Sequence, residues 1–291
     1  MLHGFFGSVP CKLGYRLADF ATPLHWLGFP ARRHAVLTNL AILLPGASRC
    51  DRARVAWRMM RSYNHMMYEF FRLPRIPLDE LIGSVEIVGE DHLARALGRG
   101  RGAIITSAHI GNWELAAVML AQMGYRLNAI AGKALTRWLS GAVRDARARL
   151  RLATIPPRNC FGTAIGALKR NEIVALLVDG HLFARGVTVE WFGRATPFPP
   201  GAGLLAQRTG ALVVPSYCER IGPGRFRLII EPPLDPGSYF TAAELHQAIA
   251  SSAERYIRSH LDQWCIFRPL RTTPALEESL APAGEDARGV A

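Results

Sequence analysis

Apolar residues recur at two different spacings along this chain, and the change of spacing divides it. Over the first 72 residues the spacing is helical. Leu13, Leu17, Phe20, Leu24 and Leu27 fall three and four residues apart, as the positions of one helix face do. Val36, Leu37, Leu40 and Ala41 form a second stripe, which Pro45-Gly46 interrupts. Ser48 or Asp51 then caps a further helix whose face carries Val55, Met59, Tyr63, Met66, Phe70 and Phe71. Pro74 and Pro77 close the region, because proline lacks a backbone donor and clashes with the preceding turn.

From residue 85 short apolar runs alternate with helical segments. The runs at 85–88, 103–106, 126–131, 153–155, 173–178, 188–192, 212–215 and 226–231 predict strands. The segments at 91–97, 113–123, 135–150, 163–169, 202–207 and 241–261 predict helices. Such alternation predicts an α/β fold: a single domain with a mixed, largely parallel central sheet flanked by helices and preceded by N-terminal helices. Three regions are expected: a helical, membrane-proximal stretch at 1–78, an α/β core at 79–271, and an acidic Pro-, Ala- and Gly-rich tail at 272–291 with the composition of a disordered segment.

Charge narrows the partners. Lys plus Arg outnumber Asp plus Glu by 35 to 23, a net charge of +12, which favours phospholipid head groups, nucleic acid or an acidic carrier protein. Nucleic acid is not expected, since the chain has no aromatic-studded RNP strand, helix-turn-helix pattern or zinc finger. The five cysteines are odd in number, scattered and without a Cys-x-x-Cys pair; that argues for reduced thiols in a cytoplasmic compartment rather than disulfides or zinc. No apolar run reaches the roughly 18–20 residues that span a bilayer. The stripe from 13 to 27 therefore predicts a helix that either lies on a membrane surface or packs on the protein's own core.

The chemistry concentrates at Thr106-Ser107-Ala108-His109-Ile110-Gly111-Asn112-Trp113-Glu114. On one continuous helix His109 and Glu114 would point roughly 140° apart. At a strand-to-helix junction the Gly111-Asn112 turn can fold the carboxylate back toward the imidazole. A histidine oriented by a carboxylate is a general base for a hydroxyl proton. His181 and Asp179 do not complete a metal site with His109, because no third ligand stands at the usual spacing, so no metal is expected.

Five blocks in order resemble the lysophospholipid acyltransferase superfamily, and within it the bacterial lipid A biosynthesis (lauroyl/myristoyl) acyltransferases, over residues 30–270. They are Asn39-Leu40 before Pro45, the His109-x-x-x-x-Glu114 block, Val178-Asp179 with Gly186 to Gly193, Pro200-Gly201 through Val214-Pro215, and Ile257-Arg258 with Gln263-Trp264. The chain departs from the family pattern at Leu261-Asp262 and Phe267-Arg268-Pro269, and in lacking most of the usual N-terminal membrane helix.

The resemblance implies a glycerol-3-phosphate acyltransferase-like fold. It implies transfer of a fatty acyl group from an acyl carrier protein or CoA thioester to a hydroxyl of a lipid acceptor, a lipid A precursor of lipopolysaccharide or a related glycolipid. No cofactor is implied beyond that thioester co-substrate. The expected setting is the cytoplasmic face of the inner membrane, with the chain a peripheral or weakly anchored monomer. His109 is implied as the base. Its carboxylate partner is Glu114 or, by likeness to the mannoside acyltransferases, Glu190. Arg147 and Arg144 lie where the family carries an arginine near the site, and Arg185 is a similar candidate; such cations suit a phosphate or a phosphopantetheine arm. Backbone N–H groups at Gly111 and Asn112, or at the helix opened by Gly201, are candidate oxyanion donors, unless the two glycines serve only as turn and cap. Asp179 stands at a strand end, where it orients neighbouring loops or caps a helix. Two alternatives remain open: an acceptor from a different lipid or secondary pathway, and a thioester hydrolase using the same His/Glu pair.

Overall fold

A computed structural model describes residues 9–132, 147, 150, 152–158, 160–179 and 186–270. Three helices come first: α1 (Cys11–Gly28), α2 (Pro30–Leu43) and α3 (Arg49–Arg72). Ser48 caps α3 by accepting a hydrogen bond from the Asp51 N–H at 3.1 Å. A short α4 (Leu78–Gly83) leads to β1 (Val85–Val88), α5 (Glu90–Gly98), β2 (Ala103–Ser107) and α6 (Trp113–Gln122). Then follow β3 (Leu127–Ile130), β4 (Ala153–Ile155), α7 (Cys160–Lys169) and β5 (Ile173–Leu177). The chain continues through β6 (Val187–Trp191), β7 (Arg194–Phe198), α8 (Gly201–Thr209), β8 (Leu212–Gly222), β9 (Arg225–Ile230) and α9 (Ala242–Ser259).

Seven strands form one sheet in the order β1-β9-β8-β2-β5-β3-β4. All its pairings are parallel except β8 with β9. The expected mixed, largely parallel sheet with flanking helices is what forms. β2 lies near its middle and has four successive buried residues, as a strand covered on both faces must. Ile104 joins the cluster on one face, with residues of α2, α7, α8 and α9. Ala103 and Ile105 join the other, with residues of α3, α5 and α6. Burying one such aliphatic side chain fully is worth about 1.5–3 kcal/mol, so the helices on both faces hold the middle strands in place.

Two strands differ from the hydropathy reading. β8 continues for seven residues past 215, because Ser216 to Gly222 leave β2 and pair antiparallel with β9. The polar residues Ser216, Glu219 and Arg220 hide that continuation from an apolar count. β7, with Pro197 inside it, was not expected; among the described residues it pairs only with β6 in a separate hairpin, where a proline need not donate to a second neighbour. The turn between them is the two residues Phe192 and Gly193, both at positive φ, as a tight hairpin turn requires.

The N-terminal stripe faces outward. Leu13, Leu17, Phe20, Leu24 and Leu27 are 41–74% exposed, so they do not pack on the core. α1 instead presents its smaller and more polar face, Gly14, Tyr15, Ala18, Thr22 and His25, to the protein. A Cβ at Gly14 would fall about 2.0 Å from the Tyr68 ring, so the contact with α3 needs glycine. Polar links complete it: Arg61 and His65 on Asp19, and Asn64 on Thr22. Among the described residues no helix is long and apolar enough to cross a membrane.

Candidate active site

The parallel strands point their carboxyl ends at one edge of the sheet, the edge at which open α/β sheets place their ligands. Register decides which residues meet there. Ser107 of β2 pairs with Leu177 of β5. Two residues beyond each stand His109 and Asp179. The Asp179 Oδ1 lies 2.8 Å from His109 Nδ1. Its Oδ2 accepts the His109 backbone N–H at 2.8 Å and the Trp264 indole N–H at 2.8 Å. Burial pushes the Asp179 carboxyl up, but His109, Trp264 and the backbone N–H outweigh it and hold the group below its ordinary value. An ionised Asp179 requires Nδ1 to carry the ring proton, which leaves Nε2 with its lone pair. Among the described residues nothing bonds Nε2, and the side chain is 31% exposed. Trp113 meets the imidazole edge-on, with ring centroids 4.9 Å apart.

The expected carboxylate partners of His109 are elsewhere. Glu114 sits in the first turn of α6, just after its cap, Asn112. There Arg147 takes its carboxylate in a two-point contact, with Nε 3.1 Å from Oε2. No hydrogen bond or ion pair joins Glu114 to His109 among the described residues. The turn serves the helix cap rather than folding Glu114 back, and the guanidinium fork matches a carboxylate better than an imidazole does. Glu190 is exposed on the hairpin, its backbone N–H and carbonyl both bonded to the Gln247 side chain at 2.8 and 3.0 Å. Alternation on β6 turns its neighbours Val189 and Trp191 inward and Glu190 outward.

Of the two roles open to Gly111, oxyanion donor or turn glycine, the second is what forms, and Asn112 caps α6. The Gly111 N–H donates to the Gln263 carbonyl at 3.1 Å, and the Asn112 N–H to the Cys218 carbonyl at 2.9 Å. Neither is open to an oxyanion. Gly111 lies at φ +57°, and a Cβ there would fall 2.0 Å from the Cys218 oxygen, so only glycine allows the loop to approach β8. Gly201 opens α8 against Leu176 of β5. Arg144, Arg185 and His181 lie outside the described residues. All five cysteines are free. Among the described residues no group of three or more His, Cys, Asp or Glu is placed to hold a metal.

An apolar cavity reaches Trp113, the ring that meets His109, and runs between α6 and the sheet past Leu120, Leu127, Ile130 and Leu152. Among the described residues its charged lining is Glu114 and Arg147.

A carboxylate-backed imidazole at the carboxyl edge of a sheet covered on both faces is the arrangement of an α/β enzyme. The family model described as bacterial lipid A biosynthesis acyltransferase matches residues 8–272. The chain belongs to that family and is an acyltransferase. Among curated proteins it is similar to the phosphatidylinositol mannoside acyltransferase of Mycobacterium tuberculosis, at 32% identity over 72% of this chain and 68% of that protein. It is also similar to the protein of the same name from Mycolicibacterium smegmatis, at 30% identity over 77% of this chain and 75% of that one. A solved 1-acyl-sn-glycerophosphate acyltransferase, PlsC from Thermotoga maritima, superposes with a TM-score of 0.40 at 15% identity, covering 88% of this chain and 99% of that one. That likeness adds nothing to the family assignment.

Residues that hydropathy and motif spacing did not single out complete the site. Trp264 was noted only as part of a block; its role as a donor to Asp179 emerges when the C-terminal segment crosses the strand ends. Glu69 and Arg220, which form an ion pair beneath the loop, carry no signal in the sequence, since 151 positions separate them.

Proposed function

We propose that this acyltransferase moves a fatty acyl group from a CoA or acyl-carrier-protein thioester to a hydroxyl of a membrane glycolipid, with His109 as general base and Asp179 as the residue that orients it. The observation that carries the reading is the His109–Asp179 contact, which frees Nε2 toward the open edge of the sheet. In the proposed reaction Nε2 takes the hydroxyl proton while the oxygen attacks the thioester carbonyl. Asp179 stabilises the imidazolium that forms. The tetrahedral intermediate collapses, the C–S bond breaks, and the thiolate leaves with the proton returned by the imidazolium. No covalent enzyme intermediate is required, because the acceptor supplies the nucleophile. With the N–H groups of Gly111 and Asn112 committed to carbonyls, we assign the oxyanion to the first-turn N–H groups of α8, a helix terminus suited to an anion.

The cavity past Trp113 takes the acyl chain in this reading, and Arg147 at its wall, paired with Glu114, meets the polar arm of the thioester. The similar mannoside acyltransferases favour a sugar hydroxyl of a phospholipid glycoside over a lipid A precursor as acceptor. The exposed stripe of α1 and the +12 charge suit work at an anionic membrane surface as a peripheral enzyme.

The test is purified wild type against His109→Ala. Both receive palmitoyl thioesters of CoA and of acyl carrier protein, with phosphatidylinositol mannoside or a lipid A precursor as acceptor, and products are read by mass spectrometry. Transfer is expected to fall by at least about 100-fold in the variant, since positioned bases contribute 10²–10⁴-fold. Near-native turnover in His109→Ala would remove the base from the mechanism.

A further inference from the structure

We infer that Glu69, held by Arg220, is a positioning residue for the acyl-transfer reaction, acting through Asn112 on the loop that carries His109. The inference rests on the reading of His109 as the base. The side chains of Glu69 and Arg220 are both buried and form a two-point ion pair, with Arg220 Nη2 2.8 Å from Glu69 Oε2. The same carboxylate accepts the Asn112 side-chain amide at 2.9 Å and the Tyr15 hydroxyl at 2.6 Å. Arg220 also donates to the Ser62 hydroxyl at 2.9 Å.

The Asn112 amide is fully buried and has two ends with opposite chemistry. Its Nδ2 faces Glu69, so its Oδ1 must face the Leu115 N–H, which it accepts at 2.9 Å as the cap of α6. Turned over, the amide would set a donor against a donor at the helix start and leave Glu69 short of one partner. Glu69 thus decides the orientation of a residue three places from His109.

Arg220 reaches the loop by a second route. Its backbone N–H and carbonyl bind the Gln263 side chain at 2.8 and 3.0 Å. The Gln263 carbonyl accepts the Gly111 N–H, and the next two residues, Trp264 and Cys265, bond Asp179 and the His109 carbonyl, the latter at 2.7 Å. From one arginine, therefore, a side-chain arm reaches Asn112 and a backbone arm reaches Gly111 and both members of the His109–Asp179 pair.

Stability alone does not call for an ion pair here, because replacing a buried pair with packed apolar residues is often neutral or stabilising. Nor does Glu69 line the apolar cavity that reaches Trp113. It lines a separate one, bounded by Tyr15, Tyr68, Leu73 and Asn112 on the far side of the loop. Its contact with the reaction runs through Asn112.

Two double variants separate positioning from packing. Glu69→Leu/Arg220→Met removes both charges and the acceptor for Asn112. Glu69→Gln/Arg220→Met removes both charges but keeps an amide oxygen for Asn112. Thiol release from palmitoyl-CoA is followed in mixed micelles with phosphatidylinositol mannoside, and folding is checked by thermal melting. The leucine variant should lose kcat by about 10- to 100-fold with KM for the thioester little changed, the scale of a small misplacement of a reacting group. The glutamine variant should recover most of that loss. Equal kcat in the two folded variants would overturn the role of Glu69. If the leucine variant does not fold, Asn112→Ser decides: serine keeps the helix cap but is too short to reach Glu69, and wild-type kcat there overturns the proposal equally. His109→Ala run alongside keeps the two readings apart, since thiol release retained in that variant removes the base itself.

Discussion

Two carboxylates bracket the loop 109–112, one on each side, and they differ in what they hold. Asp179 lies under the open edge and holds an imidazole that is 31% exposed. Glu69 lies on the inner side and holds a guanidinium with no such outlet. Both are buried, and both sit below their ordinary pKa because their donors outweigh desolvation. The difference is in the partner. An imidazole with one nitrogen free can take and return a proton near neutral pH; an arginine sealed against a carboxylate cannot lose its proton. A buried carboxylate held by its donors thus serves proton transfer, in the proposed reading, where its partner is an exposed imidazole, and positioning where its partner is a shielded guanidinium.

The contrast can be broken at several points. The largest expected effect is at His109 itself, where alanine removes the base. Next comes Asp179→Asn, which keeps the size of the side chain but removes the charge that fixes the ring tautomer. A loss of roughly 10²–10⁴ in kcat is expected by analogy with carboxylate-backed bases in general, with thioester binding unchanged when measured by titration calorimetry; a loss below about tenfold would mean that Asp179 only shapes the loop. The loss from Glu69→Leu/Arg220→Met should be smaller, because that pair acts at one remove.

Acid titration probes both carboxylates together. A carboxyl whose pKa is depressed on folding adds stability above its unfolded value, about 3.9 for Asp and 4.3 for Glu, and that stability is lost as pH falls through and below those values. The share of the urea midpoint that these two groups contribute should therefore be flat near pH 7 and fall from about pH 5 downward. Asp179→Asn and Glu69→Gln/Arg220→Met should each flatten the fall. Slopes parallel to wild type would show that neither group is held down by its partners. The smallest effect belongs to Glu190→Gln. That side chain is exposed and its backbone carries the contacts to Gln247, so kcat/KM is expected to stay within about twofold.

Much of the architecture was legible in particular residues. The 153–155 strand and the 85–88 strand form at the predicted positions, since short apolar runs between turn signals leave few other ways to bury themselves. The helix cap at Ser48 was readable for the same local reason. The hairpin strand with Pro197 and the polar half of β8 were not, because their partners lie on other segments and hydropathy says nothing of pairing. The α1 stripe shows the limit from the other side: its helical spacing was plain, but only the close fit of Gly14 on Tyr68 reveals that the apolar face turns out.

His109 announced itself by its neighbours in the chain, as the glycine, the cap asparagine and the preceding strand are all local features. Its partner did not. Five residues of sequence separate it from Glu114 and seventy from Asp179, and the nearer acid is claimed by Arg147. What the amino-acid order determined alone is the set of elements, the loop on which the imidazole rides and the kinship of the chain. The tertiary structure decided which acid meets that imidazole, because parallel register between two strands carries Asp179 to the same height as His109, and no count along the chain contains a distance across a sheet.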